Sequence, residues 1–282
     1  MKKTAVMTDT NSGITPETAK EKGIFLLKMP FTVDNKEYTE YVDMPYEEFF
    51  KKLDSGVSVS TSQPSPAALT DMWDEILKEY ESLVYIPMSS GLSGTCATAK
   101  ALSAEYDGKV FVADNRRISV TLYTDVFKAL RLANDGFSAA EIAENLENEA
   151  DMQSIYVAVN TLEHLKKSGR VTAAGAAVGT LLGIKPVLQI QGGKLDAYKK
   201  VRGMQNAVTA MLDGIENDLK TDFADKKVVI RAAYSGDRAA GEAFLKTTKE
   251  RFPEYEIELD ALPISISCHV GAGALGIGIS VI

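Results

Sequence analysis

Two loops rich in hydroxyl groups contain the residues best suited to chemistry. One is Ser89-Ser90-Gly91-Leu92-Ser93-Gly94-Thr95, between a strand-like and a helix-like segment, and the other is Ser60-Thr61-Ser62-Gln63-Pro64-Ser65-Pro66, where a strand-like segment ends. Free backbone N–H groups and the helix dipole favour an anion at a helix N-terminus. Open α/β sheets bind ligands beyond the carboxyl ends of their strands. We therefore expect Thr61 and Ser93 to face one crevice that receives an anionic group.

The loop around Ser93 departs from the common phosphate-binding and nucleophile motifs. No Gly-Lys-Ser/Thr sequence follows it, and Gly91 and Gly94 alone do not form the G-x-G-x-x-G dinucleotide pattern. Thr95 stands where the nucleophile elbow G-x-S-x-G requires its second glycine. Nucleotide binding and elbow-type hydrolysis are therefore disfavoured, and simple helix capping is the remaining alternative to anion binding.

One histidine lies in a segment that suits a binding site. His269 follows a strand-like segment and precedes Gly271-Ala272-Gly273, whereas His164 lies among charged residues of a predicted helix and is expected at the surface. Asp9-Thr10 and Asp114 also end strand-like segments, a position that is equally typical of ordinary turns. Neutral hydroxyl donors with one histidine suit a carboxylate that is bound without being chemically changed.

Two basic segments place an arginine beside a glycine. They are Lys166-Lys167-Ser168-Gly169-Arg170 and Lys199-Lys200-Val201-Arg202-Gly203. Such segments usually form a solvated surface, but a guanidinium fork next to a glycine also reaches phosphate groups well. Between them, the small residues of Ala173–Gly179 predict either close helix packing or an apolar wall for a ligand.

The order of the predicted elements in the first half of the chain indicates a layered α/β protein. Strand-like Thr4–Thr8, helix-like Thr15–Lys22 and strand-like Ile24–Met29 follow one another from the start. We predict an α/β domain over residues 1–150 with a doubly wound parallel sheet. A small β insertion with a hairpin turn is predicted within it, at about residues 28–60.

The second half predicts a further α/β domain over residues 151–282. Ser154–Val159 and Val228–Tyr234 are strand-like, and a last apolar strand is predicted at Leu275–Ile282. Ile264–Cys268 alternates isoleucine and serine, and we interpret it as a strand that ends before His269.

Composition and charge disfavour several classes of partner. Lys and Arg total 31 against 39 Asp and Glu, for a net charge of −8, and the basic residues are scattered, so nucleic acid is not expected. No segment reaches the roughly 18 consecutive apolar residues of a membrane span. The two cysteines, Cys96 and Cys268, and the two histidines lack metal-ligand spacing, so no metal or cofactor is expected. The N-terminus enters a strand without a signal-peptide pattern, which predicts a cytoplasmic protein.

Seven motifs, in order and over nearly the whole chain, resemble those of the DegV family. Each motif is weak alone, but seven in register are specific. They are Thr8-Asp9-Thr10, Thr61-Ser62-Gln63-Pro64-Ser65, Ser89-Ser90-Gly91-Leu92-Ser93-Gly94-Thr95, Leu165-Lys166-Lys167-Ser168-Gly169-Arg170, Ile184-Lys185-Pro186, Lys200-Val201-Arg202-Gly203 and His269-Val270-Gly271-Ala272-Gly273.

This resemblance implies a two-domain α/β fold that encloses one long-chain fatty acid, of the palmitate or oleate type, between its domains. By the same likeness Thr61 and Ser93 bind the carboxylate, His269 lies close by, and no cofactor is needed. Further candidates for a secondary part of the pocket are Ser62, Gly94, Asp9 and Cys96.

Some members of the family deliver the acid to a fatty acid kinase, which phosphorylates the presented carboxyl group. By similarity Arg170 and Arg202 lie near the surface that docks the kinase, and the chain is a carrier without catalysis of its own. The alternative function is an acyl hydrolase or acyltransferase that uses Ser93 or Cys96 as nucleophile and His269 as base.

Three positions depart from the family pattern. Asn115 stands where a serine or threonine is usual after Asp114, and Thr121 replaces a glycine a few residues on. Cys96 stands where an aromatic residue is common, which widens the space expected behind Ser93. These differences leave the preferred chain length of the acid open.

Overall fold

The computed structural model of the chain describes residues 2–172, 183–191 and 193–282. The small-residue stretch Ala173–Gly179 lies outside these residues. The strands in the described part are β1 (Lys2–Asp9), β2 (Phe25–Leu27), β3 (Pro30–Val33), β4 (Lys36–Thr39), β5 (Val59–Thr61), β6 (Tyr80–Ile86), β7 (Val110–Val112), β8 (Gln153–Ala158), β9 (Ile184–Gln191), β10 (Lys194–Arg202), β11 (Val228–Tyr234), β12 (Glu258–Ala261) and β13 (Leu275–Val281).

Helices connect many of these strands, and capping residues fix where several begin. Ser65 accepts a hydrogen bond from the N–H of Ala68 at 3.1 Å, with Pro66 as the first helical residue. Among the described residues, no helix is long and apolar enough to span a membrane. The described helices are α1 (Pro16–Lys22), α2 (Tyr46–Asp54), α3 (Pro66–Ile76), α4 (Thr95–Ser103), α5 (Ser119–Asn134), α6 (Ala139–Asn148), α7 (Glu163–Ser168), α8 (Met204–Lys220), α9 (Arg238–Arg251) and α10 (Ile264–Val270).

The first sheet is parallel, with the strand order β2-β1-β6-β7. Successive residues of a strand point to opposite faces. Val6 therefore packs with Leu122 and Ile142 on one face, whereas Met7 packs with Trp73 on the other. Helices α5 and α6 cover the first face and α3 and α4 the second, which confirms the predicted doubly wound parallel sheet.

A small antiparallel sheet, with the strand order β4-β3-β5, forms the predicted insertion. The turn between β3 and β4 has φ values of 51° at Asp34 and 62° at Asn35, the backbone that tight hairpin turns require. Phe31 of β3 packs with Ile264 of α10 in one buried cluster. The insertion therefore contacts the helix that carries His269.

The remaining strands form a mixed sheet with the order β10-β9-β8-β13-β11-β12. Strand β13 lies inside this sheet and pairs antiparallel with both β8 and β11. One face of the sheet packs against α8, and Gly278 on the other face of β13 approaches Val120 of α5. The predicted domain boundary at residues 150–151 falls between α6 and β8 and stays a prediction.

Two segments differ from the sequence-based expectation. Ile264–Val270 is helix α10 and not a strand, because the segment is buried almost throughout and its alternation does not mark one exposed face. Its serines find polar partners in the interior: Ser265 bonds Glu40, and Ser267 lies 3.1 Å from Ser235. Strand β10 was not predicted, because it is a charged edge strand with an irregular register between residues 197 and 199.

Candidate functional site

Thr61 and His269 are joined by a hydrogen bond between distant parts of the sequence. Thr61 ends β5, which pairs antiparallel with β3 and so belongs to the small sheet, not to the parallel one. His269 lies in the last turn of α10. Thr61 Oγ1 and His269 Nε2 are 2.8 Å apart. Two of the three predicted carboxylate ligands are therefore in contact.

The imidazole of His269 is neutral near pH 7. Burial, the charge of Arg170 and the neighbouring His164 lower the pKa of His269 to about 4. Its Nδ1 atom is enclosed and has no hydrogen-bond partner among the described residues. When the proton is on Nε2, the ring donates to Thr61 Oγ1, and the hydroxyl of Thr61 can then donate to a further acceptor. This pair suits a carboxylate oxygen.

A groove of about 850 Å³ passes the Thr61–His269 pair. The end of the small sheet around β5 forms one side of it, and α7 with the residues that follow forms the other. Lys167 and Arg170 line the groove. His164 lines it as well and is half-buried there, whereas the sequence predicted it on the open surface. Cationic groups along such a groove speed the approach of an anion to it.

The loop that carries Ser93 is held by contacts within itself and with the six-stranded sheet. Ser93 Oγ accepts from the N–H of Thr95 at 3.2 Å and lies 2.9 Å from Thr95 Oγ1. Ser89 Oγ donates to the carbonyl of Gly193 at 2.8 Å. A Cβ on Gly91 would collide with that same carbonyl, so the close approach of the two loops requires glycine.

Gln63 connects the loop of Thr61 with the loop of Ser93. Its side-chain oxygen accepts from Thr98 Oγ1 at 3.3 Å. A Cβ on Gly94 would lie 2.9 Å from the same oxygen, so the two loops touch at this point. Thr61 and Ser93 thus lie on adjacent segments, although their strands belong to different sheets. Only Thr61 lines the groove, so the single crevice expected for both stays a prediction.

An apolar cavity of about 60 Å³ lies behind these loops. Val120 of α5 and Ile266 and Val270 of α10 contribute to its lining, together with strands of the six-stranded sheet. Leu92, the neighbour of Ser93, belongs to the same buried cluster. Leu92 and several residues that line the cavity therefore belong to one apolar cluster, and the cavity suits a hydrocarbon chain.

The four residues predicted for a secondary part of the pocket have different surroundings. Asp9 is fully buried below the Ser93 loop, accepts from the N–H of Met88 at 3.4 Å, and has its pKa raised to about 6 by burial. Cys96 is buried in the core of the parallel sheet. Neither lines the groove or the cavity. Ser62 and Gly94 are exposed on the two adjacent loops.

The two arginines occupy different places. Arg170 is half-buried, lines the groove, and donates a hydrogen bond to the carbonyl of Ser168. Arg202 is exposed at the end of β10 and lines neither the groove nor the cavity. The structure therefore puts Arg170 in the groove beside Thr61 and His269, and Arg202 on the outer edge of the six-stranded sheet.

The contacts of the site disfavour the acyl-transfer alternative. His269 Nε2 is engaged by Thr61, whereas Ser93 Oγ is bonded to Thr95. Burial raises the pKa of Cys96 to about 12, so its thiolate is scarce at neutral pH. Neither proposed nucleophile has His269 as its hydrogen-bonded base in the structure.

Two of the departures from the family pattern, Asn115 and Thr121, make hydrogen bonds within the protein. Asn115 Nδ2 donates to the buried carboxylate of Asp125 at 2.8 Å. Thr121 donates to the carbonyl of Ile118 at 3.2 Å, and its methyl group lies against Gly278. Neither Asn115 nor Thr121 lines the cavity.

A buried polar cluster near the site was not predicted from the sequence. Glu40, at the end of the insertion, accepts from Thr10 Oγ1 at 2.5 Å, from Ser265 Oγ at 3.0 Å and from the N–H of Ser265 at 3.3 Å. Burial raises the pKa of Glu40. The sequence singled out only Thr10 of this cluster, as part of a strand-end motif. Glu40 and Ser265 are 225 residues apart, and contacts over such a separation leave no local sequence signal.

The sequence matches, over residues 3–281, the family described as uncharacterised protein, DegV family. A DegV domain-containing protein from Deinococcus radiodurans is 29% identical over 279 residues, which cover 98% of this chain and 97% of the relative. One from Listeria innocua is 29% identical over 280 residues, with the same shares covered.

Solved structures of this family have the same fold. The DegV family protein from Thermus thermophilus, described by its fatty acid binding, is 27% identical and superposes with a TM-score of 0.89 over 99% of this chain and 100% of its own. A fatty-acid-binding DegV family protein from Streptococcus agalactiae is 25% identical with a TM-score of 0.88, and DegV from Bacillus subtilis, a fatty-acid-binding protein, is 25% identical with a TM-score of 0.85. Both comparisons cover 100% of both chains.

Proposed function

Since this chain belongs to the DegV family, we propose that it is a carrier that binds one long-chain fatty acid, of the palmitate or oleate type, without changing it chemically. The observation that carries the proposal is the 2.8 Å contact between Thr61 and His269 beside an apolar cavity. Thr61 and Ser93 bind the carboxylate, His269 orients the hydroxyl of Thr61, and the tail enters the cavity lined by the same helix, α10. A single anionic group on a long apolar chain fits these surroundings.

Burial of the tail supplies most of the affinity. About fourteen methylenes at about 0.8 kcal/mol each amount to roughly 11 kcal/mol, which exceeds the several kcal/mol needed to desolvate a hydrogen-bonded carboxylate. The cavity, at about 60 Å³, is smaller than the about 300–1,000 Å³ of typical ligand sites. Its lining side chains therefore move apart when an acyl chain enters.

Analysis of bound lipid tests the carrier function directly. We expect mass spectrometry of a denaturing extract to show about one fatty acid per purified chain. Delipidated protein should take up one equivalent of palmitate or oleate in a titration. The absence of both would reject the proposal, and turnover of an acyl ester would favour the hydrolase in its place.

The carrier then presents the carboxylate to a cytoplasmic fatty acid kinase, which transfers the γ-phosphate of ATP to a carboxylate oxygen and releases ADP. Arg170 supports this step, because it lines the groove that passes Thr61 and His269. A guanidinium fork there can pair with a carboxylate of the kinase or with the phosphate as it approaches. Arg202, exposed at the end of β10 and outside this groove, would contact a second part of the kinase.

The arginines separate binding from presentation. Arg170→Ala and Arg202→Ala should keep the affinity for the fatty acid and slow acyl-phosphate formation when a cognate kinase and ATP are supplied. Lys200→Ala, an exposed charge on the same strand as Arg202, is the matched control. Loss of lipid binding in step with phosphorylation would place the arginines in the pocket, and unchanged phosphorylation would make them ordinary surface charges.

A further inference from the structure

One face of β13 carries no side chains at two successive positions. Gly276 and Gly278 share this face, whereas Leu275, Ile277 and Ile279 point to the opposite face and pack in the cluster that includes α8. Neither glycine has a positive φ. The backbone would therefore accept other residues at both positions, and the reason for glycine lies in the space above the strand.

The two glycines differ in what fills that space. A Cβ on Gly278 would lie 2.6 Å from Val120 Cγ2 and 3.0 Å from Thr121 Cγ2, so helix α5 occupies the space there. A Cβ on Gly276 would meet nothing nearer than the carbonyl oxygen of Tyr156 at 3.7 Å, an ordinary contact distance. Gly276 also lines the apolar cavity. The space above Gly276 is therefore the cavity itself.

We propose that Gly276 determines which acyl chains the protein accepts, an inference that rests on the proposed function. The missing side chain keeps open the part of the cavity that receives the tail. Because the cavity measures only about 60 Å³ and its lining has to move apart for a tail, a side chain added at Gly276 occupies space that the tail needs. Apolar pockets discriminate ligands that differ by one methylene by about 10- to 200-fold, so side chains at this position select against long or bent tails.

Gly276→Ala and Gly276→Val test this role by titration of delipidated protein with dodecanoate, palmitate and oleate. For Gly276→Val we expect the affinity for palmitate and oleate to fall at least about tenfold, while that for dodecanoate changes little. Gly276→Ala should show a smaller shift in the same direction. Its melting temperature should stay the same or rise, because alanine is favoured over glycine within a strand and fills apolar space. A purely structural glycine would lose stability and affinity together.

Gly278→Ala is the matched control, since it lies on the same strand and the same face. Its Cβ must displace Val120, so we expect a lower melting temperature without a change in chain-length preference. Wild-type-like binding of palmitate and oleate by Gly276→Ala and by any folded Gly276→Val would overturn the inference and leave the carrier function intact. A wild-type protein that binds no fatty acid would overturn the carrier function, and this inference with it.

Discussion

The two ends of helix α10 make similar hydrogen bonds in opposite surroundings. At the N-terminal end Ser265 bonds Glu40 in an enclosed cluster, where both residues are almost fully buried. At the C-terminal end His269 bonds Thr61 beside an open groove. Both contacts join the helix to the insertion, but only the second lies next to space that a ligand can occupy.

The comparison separates polar residues that hold the fold from those that bind. At the closed end the carboxylate of Glu40 meets Thr10 and Ser265, so its hydrogen-bonding capacity is used within the protein. At the open end the hydroxyl of Thr61 keeps a donor for an incoming group when His269 donates to it. Unused hydrogen-bonding capacity beside a groove indicates binding, and used capacity in the interior indicates stability.

Removing the acceptor at the closed end should have the largest effect. Glu40→Ala leaves the buried donors of Thr10 and Ser265 without their carboxylate, and we expect the free energy of unfolding to fall by roughly 3 kcal/mol. Urea unfolding measures this loss, and Glu40→Gln, which keeps an acceptor oxygen, is the control. An equal loss for both variants would show that charge, not hydrogen bonding, matters at this end.

Asp9 belongs to the same enclosed region and should govern the pH dependence of stability. Its folded-state pKa is raised from 3.8 to about 6, so the folded protein binds the proton more tightly than the unfolded chain. The free energy of unfolding therefore falls by about 3 kcal/mol as the pH rises from 3.8 through 6. Relative to wild type, Asp9→Asn should therefore gain stability between pH 4 and pH 7. Parallel curves for the two proteins, in urea unfolding across this range, would contradict the prediction.

The hydroxyls of Thr61, at the open end, and of Ser93, on the adjacent loop, should matter for binding instead of folding. Thr61→Ala and Ser93→Ala should each weaken fatty acid binding by roughly 1–3 kcal/mol, the usual loss when a partner of a charged group is removed. Because the tail supplies most of the affinity, binding should weaken without vanishing. Titration with palmitate measures the effect, and melting temperatures near that of wild type are expected. If both variants bind like wild type, the carboxylate is bound elsewhere.

The smallest expected effect is a pH dependence opposite in sign to that of Asp9. The pKa of His269 is lowered from 6.5 to about 4, so the unfolded chain binds this proton more tightly and stability falls as the pH drops from 6.5 towards 4. Partial exposure of the ring limits the effect to about 1–2 kcal/mol. His269→Gln should flatten this slope in urea unfolding below pH 6.5. A variant that keeps the wild-type slope would assign the pH dependence to another group.

Much of the fold followed from local patterns. Alternating strand and helix segments and a hairpin turn within residues 28–60 predicted the parallel sheet and the insertion, which the structure confirms. Helix α10 was misread, because its serines are satisfied in the interior and mimic the alternation of a strand. Strand β10 was missed, because a charged edge strand has no apolar face to reveal it.

The sequence selected candidate residues for the site, which stay a prediction, but it did not show the contacts between them. Thr61, Ser93 and His269 were selected by loop type and resemblance, and the structure places Thr61 against His269. The cluster around Glu40 and the open space above Gly276 could not be predicted from local sequence patterns. Both are formed by segments that lie far apart in the chain.

The internal position of β13 has a consequence for how the protein is made. The sheet needs β13 between β8 and β11, yet β13 follows both in the chain and is translated after them. Until it leaves the ribosome, β8 and β11 present open edges that invite pairing with other chains. The parallel sheet, whose strands end at Val112, can form during synthesis, whereas the second sheet closes late. Emergence of β13 from the ribosome is therefore the step that closes the second sheet.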